Sequence, residues 1–114
     1  MTIQEAQNQV HEWIKTYGVR YFDERTNTLL LAEELGEFTR LIAREFGEQS
    51  FKKDRNPADI KAAISDEMAD MMFVIICLAN QMDINLEEVL IKNLDKKTKR
   101  DHQRHKDNDK LAPN

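Results

Sequence analysis

Punctuating residues are scarce in this chain. Three glycines and two prolines in 114 residues leave few places for a tight turn, so its elements are expected to be few and long. A single cysteine, Cys77, excludes an internal disulfide and points to a reducing compartment. There is no basic excess: the formal net charge is −4, which gives no global reason to bind nucleic acid. Long apolar runs are missing too. The longest, Met71 to Ala79, is far short of the roughly 20 residues of a membrane span. No N-terminal stretch pairs a basic region with an apolar one, as a signal peptide would. These absences predict a cytoplasmic protein with no membrane segment and no nucleic-acid partner.

What is present is a chain with 40% hydrophobic and 33% charged residues. That balance suits one helical, heavily solvated domain with a modest core, which gains burial by self-association. Four helices are expected. Thr2 with Glu5 has the form of a capping box, and helix one runs through Ile3, Val10, Trp13 and Ile14 to about Tyr17, with Gly18 as its stop. Helix two starts near Thr26 or Asn27, carries Leu30, Leu31, Leu35, Phe38, Leu41 and Ile42 at helical spacing, and ends at Gly47. A polar loop with Lys52, Lys53 and Arg55 follows. Asn56-Pro57 then starts helix three, which runs into an all-round apolar segment expected to be buried on every side. Asn85 with Glu88 starts helix four. From Lys96 onward the chain is almost entirely polar, and its end, 108–114, is expected to fray.

The acids are placed unusually. Helix two carries Glu33-Glu34-Leu35-Gly36-Glu37, and helix three carries Asp66-Glu67-Met68-Ala69-Asp70. Residues three apart on a helix are surface neighbours, so Glu34 shares a face with Glu37, and Glu67 with Asp70. Both pairs interrupt strongly apolar segments. Carboxylates near a helix–helix interface are costly unless a cation meets them, and four facing one another would raise each other's pKa. A divalent ion removes that conflict. All-oxygen ligands suit Mg²⁺ or Mn²⁺, and the histidines His11, His102 and His105 lie far from the acids in sequence. Periodicity alone leaves the pairs open between a metal site at Glu34, Glu37, Glu67 and Asp70, a solvated groove, and salt bridges between subunits.

Glu33-Glu34-x-x-Glu37 followed by Glu67-x-x-Asp70 resembles the EExxE…ExxD signature of the all-α NTP pyrophosphatases, the MazG-like group. The context agrees: Leu-Ala-Glu-Glu-Leu-Gly-Glu-Phe and Asp-Glu-Met-Ala-Asp-Met-Met-Phe-Val-Ile are similar to the family's two motif regions. The resemblance covers most of the chain, from helix one to Arg100. The motifs lie farther apart than the family pattern, so the loop between them is extended.

The resemblance implies an all-α four-helix bundle completed by dimerisation, as a homodimer or dimer of dimers. It makes residues 1–107 one MazG-like domain and 108–114 a polar tail. It implies Mg²⁺-dependent hydrolysis of an NTP or dNTP to the monophosphate and pyrophosphate, with Mn²⁺ as a substitute. Glu34, Glu37, Glu67 and Asp70 match its metal ligands. Glu33 matches the first acid of the motif, which binds a second metal or polarises the attacking water, so Glu33 and Glu34 are the catalytic candidates. Lys96 and Arg100 match a Lys-x-x-x-Arg arrangement that contacts phosphate; the other reading is a solvated helix end, where cations complement the helix dipole. Asn80 matches a residue that reaches the nucleotide, or is a polar helix end. Trp13 is either core or a stacking partner for the base. Two other functions remain open at this stage: a non-catalytic nucleotide- or metal-binding regulatory module, and a phosphoribosyl-ATP pyrophosphohydrolase. The tail residues Arg104 and Lys106 are diluted by Asp101, Asp107 and Asp109, which argues against nucleic acid.

Overall fold

The structure is a computed structural model that describes residues 1–51 and 56–112. Lys52, Lys53 and Arg55 of the expected loop therefore lie outside the described residues. The protein is all-α, with four helices and no strand among the described residues. Helix α1 spans Ile3–Trp13 and continues as a π-helical turn over Ile14–Gly18. Helix α2 spans Glu24–Phe46, α3 Pro57–Gln81 and α4 Leu86–Lys106, and a short 3₁₀ turn covers Asp109–Leu111.

Side-chain caps account for most of the helix starts. The Thr2 hydroxyl accepts from the Glu5 amide at 3.0 Å, Asn56 from the Ala58 amide at 2.8 Å, and Asn85 from the Glu88 amide at 3.1 Å. Each satisfies an amide that the helix itself leaves free. Helix α2 starts earlier than its sequence suggests. Asp23 Oδ1 accepts from the Thr26 amide at 2.8 Å, so Asp23 takes the cap and Asn27 moves into the helix, onto its buried face. Gly47 ends α2, and a Cβ there would meet the Ala43 carbonyl oxygen at 2.4 Å.

Helices α2 and α3 form the main pair, and α1 packs on α3. Asn27 near the start of α2 meets Gln81 at the end of α3, and Glu34 meets Glu67, so the two helices are antiparallel. Positions seven apart recur on each helix: Asn27, Glu34 and Leu41 on α2, and Ile60, Glu67 and Val74 on α3, with Glu34 facing Glu67 at the middle. Two turns of helix separate each layer, as in coiled-coil packing. Leu41 and Ile60 close one end, and Ile14, Val74, Ile76, Cys77 and Ala79 form the core at the other. The middle layer is acidic.

One expectation fails. Helix α3 is not buried on every side: Met68, Met72 and Ile75 are 47%, 61% and 42% exposed, because α1 and α2 cover only two of its faces. The polar chain beyond Lys96 continues as helix to Lys106, within the domain bound expected at 107. Asp101 holds that end together, meeting Arg100 at 2.8 Å and Arg104 at 3.0 Å. Asn108 caps the 3₁₀ turn through the Lys110 amide.

Candidate active site

The acids sit where the α2–α3 seam places them. Carboxylate oxygens of Glu34, Glu67 and Asp70 all lie within 4.8 Å of one another, and all three residues are half-buried. Glu37, one turn along from Glu34, also interacts with Glu67. Glu67 is the centre of this group. Its carboxyl is held above the usual carboxylate range, first by its hydrogen bond to Glu34 and then by burial. The charges of Glu34 and Asp70 push the same way, and Glu37 opposes them. Glu67 Oε2 is enclosed and has no hydrogen-bond partner among the described residues. Buried polar atoms are almost always partnered, so this one calls for a cation. Four carboxylates offer only hard oxygen donors, which fit Mg²⁺ or Mn²⁺. Glu33 and Glu37 are both exposed and lie outside the convergent group of three, but Glu37 reaches Glu67 from its edge.

One helical turn away the seam changes character. A cavity of about 330 Å³ opens between the end of α1, the α1–α2 link, α2 and α3, with the rings of Trp13, Tyr21, Phe22 and Phe73 in its walls. Its inner side includes Leu30, one turn before Glu34, and Val74, one turn after Asp70. Trp13 is half exposed and meets Phe73 edge-on, with centroids 5.5 Å apart. Cys77 also lines the cavity, and burial pushes its thiol up to about 11, so it stays neutral.

The structure does not bring the other expected residues to the acids. Asn80 uses its amide elsewhere: Oδ1 accepts from Gln7 Nε2 at 3.0 Å, while Nδ2 donates to the Gln7 carbonyl at 3.0 Å and to the Tyr21 hydroxyl at 3.1 Å. Burial raises the Tyr21 pKa, against the effect of that hydrogen bond. Lys96 and Arg100 lie on the exposed second half of α4, a helix whose main partner is α1. Arg100 forms a two-pronged contact with Asp101 at 2.9 and 2.8 Å.

Sequence reading passed over Gln7 and Asn27, each 5% exposed. Gln7 Nε2 also reaches the Ile84 carbonyl, and its Oε1 accepts from the Leu86 amide. The signal was available. Gln7 falls in the apolar series Ile3, Val10, Ile14, and Asn27 in the series Leu30, Leu31, Leu41. An amide in an apolar series marks a buried polar contact.

An all-helical bundle with a convergent acidic seam defines a class. Residues 22–105 match the model of the MazG nucleotide pyrophosphohydrolase domain. The chain belongs to this family and is a nucleotide pyrophosphohydrolase. It is 32% identical to YpjD of Bacillus subtilis (strain 168) over 103 residues, which are 90% of this chain and 89% of that one. The crystal structure of YpjD from Bacillus subtilis superposes with a TM-score of 0.73, covering 89% of this chain and 97% of the other. The crystal structure of the Bacillus-conserved MazG protein, a nucleotide pyrophosphohydrolase, gives a TM-score of 0.69 at 28% identity, covering 84% and 88% of the two chains.

Proposed function

We propose that the chain is a Mg²⁺-dependent hydrolase of nucleoside or deoxynucleoside triphosphates, which cleaves the α–β bond to give the monophosphate and pyrophosphate. The observation that carries this reading is Glu67 Oε2, a buried acceptor with no donor at the centre of four carboxylates. Bare carboxylates repel a triphosphate, so the acids serve it only with cations between. Glu34, Glu37, Glu67 and Asp70 are the residues that would hold the metal. Bound there, Mg²⁺ would supply charge neutralisation on the phosphate oxygens and a site for an oriented water. Glu33 borders the patch as the acid that polarises that water or holds a further ion. The aromatic cavity beside the acids takes the base, with Trp13 in its wall. Lys96 and Arg100 are the cations that meet phosphate in this reading, and Arg100 must first leave Asp101. Asn80 acts by positioning Gln7 and Tyr21.

The unit that works is a homodimer in the cytoplasm. In support, the radius of gyration is 18.1 Å, against about 13 Å for a compact chain of this length. Val89, Leu90 and Leu94 on α4 are also 47%, 45% and 55% exposed beside Met72 and Ile75. No helix among the described residues is long and apolar enough to cross a membrane.

The test is pyrophosphate release from a panel of NTPs and dNTPs with Mg²⁺ or Mn²⁺. EDTA is expected to abolish it, and Glu37→Ala or Asp70→Ala to lower it by more than about a hundredfold. Metal-dependent turnover at the wild-type rate in both variants would remove the site.

A further inference from the structure

The cavity beside the acids is lined by a buried side-chain amide whose hydrogen bonds are incomplete among the described residues. Asn27 is 5% exposed and lines the cavity. Its orientation follows from a backbone carbonyl. Phe22 O is an acceptor and nothing else, and it takes the Gln81 side-chain amide as donor. Gln81 must therefore present Oε1 to Asn27, and Asn27 answers with Nδ2 at 2.7 Å. The same Nδ2 makes a longer contact of 3.4 Å to Phe22 O. Both hydrogens of the Asn27 amide are thus assigned, and Oδ1 has no hydrogen-bond partner among the described residues. The edge left for the cavity is an acceptor.

The α1–α2 link fixes the start of this relay. Val19 has φ 69 and ψ −55, and the Arg20 amide bonds the Gly18 carbonyl at 2.8 Å, which is a γ-turn of the rare, strained hand. A β-branched residue seldom adopts it. The turn leads directly into Arg20, Tyr21 and Phe22, all of which line the cavity. Along α2, Asn27 precedes Glu34 by seven residues, about 10 Å of helix. That is the order of the span from the α-phosphate of a nucleotide to its base.

We infer that Asn27 Oδ1 is the base-reading group of this enzyme: it accepts a hydrogen bond from a ring or exocyclic N–H of the nucleobase, and Gln81 and Phe22 O hold it in that orientation. The inference rests on the reading of the acids as the site of the triphosphate. The ligand class it selects is a nucleotide whose base carries an N–H on the edge opposite the sugar. A base methylated or stripped of that N–H leaves Oδ1 buried and unpaired, and sites built to bond a substrate N–H reject such analogues strongly.

The test uses matched nucleotides with and without the N–H: adenosine against unsubstituted purine riboside, cytidine against pyrimidin-2-one riboside, and uridine against 3-methyluridine. Binding of the monophosphates is read from the fluorescence of Trp13, the only tryptophan and part of the cavity wall. Turnover of the triphosphates is read separately. In the full-length wild type, the pair matching the preferred base is expected to differ by about tenfold in binding. Asn27→Leu is expected to bring that ratio to about one. Gln81→Leu, which leaves Asn27 in place but frees its amide to turn over, is expected to lower the ratio without abolishing binding. Equal binding within every pair overturns the inference, as does a preference that survives Asn27→Leu, or no fluorescence response to any nucleotide. Turnover without discrimination leaves the hydrolase reading standing and removes only Asn27. Discrimination without metal-dependent turnover does the reverse.

Discussion

Single side chains set much of this molecule's character, and Gln7 shows how. It lies in an apolar face, yet its amide joins α1 to Asn80 on α3 and to the Ile84 carbonyl and Leu86 amide at the entry to α4. Replacing it with leucine keeps the volume and leaves those three groups without a partner. Gln7→Leu is expected to destabilise the fold by about 2 kcal/mol, read from urea unfolding. A change within a few tenths would mean that the contacts are dispensable. The acids follow the opposite logic, since Glu67 is held protonated more readily than a free carboxyl. A metal held there would have to displace that proton, so its binding is expected to weaken as pH falls through the raised Glu67 value, read by metal titration at two pH values.

At the scale of elements, much was legible. The caps Thr2, Asn56 and Asn85 and the stop at Gly47 obey local rules, and the structure keeps them all. The start of α2 was less legible because Asp23, Thr26 and Asn27 are all competent caps within five residues. Burial of Asn27 against Gln81, a contact across 54 positions, settled the competition. The π-helical turn at Ile14–Gly18 has no local signature. The seam spacing of Glu34 and Glu67 was readable as periodicity, whereas the aromatic cavity was not, because it joins four separate segments. The end of α4 has no apolar series to mark it in the sequence, since the chain beyond Lys96 is almost entirely polar. Asp101, flanked by Arg100, Arg104 and His105, supplies local order there. Its carboxyl is held below its ordinary value of 3.8, chiefly by the hydrogen bond from Arg100. A lowered carboxyl contributes stability fully above the unfolded value and loses it as pH falls through the folded one. Amide-exchange protection over 98–105 is therefore expected to drop in Asp101→Asn at neutral pH, and in the wild type on acidification below about 4. Unchanged protection in the variant would show that α4 needs no such hub.

For the whole molecule, the open issue is the surface a single copy leaves uncovered. Ile3, Met72, Ile75, Val89 and Leu90 line an apolar cavity of about 320 Å³ between α1, α3 and α4. A monomer with so much exposed methionine and leucine would aggregate or pair. Light scattering is expected to give twice the 13.4 kDa chain mass for the wild type, and Met72→Asp to shift it to one chain. A wild type that runs as one chain at micromolar concentration would refute the dimer.

The acidic layer of the α2–α3 seam has a consequence for how the enzyme can be assayed. With buried Leu41 and Ile60 on one side and buried Asn27 and Val74 on the other, an ion held by the acids would complete packing that the side chains leave unfinished. Ion loading would then be a folding variable, and a melting curve would serve as a metal titration. An ion at a hundred times its dissociation constant adds about 2.7 kcal/mol to stability. A thermal-shift series over Mg²⁺, Mn²⁺ and Ca²⁺, with no nucleotide present, is expected to rank the ions by fit, and Glu67→Gln to flatten that series.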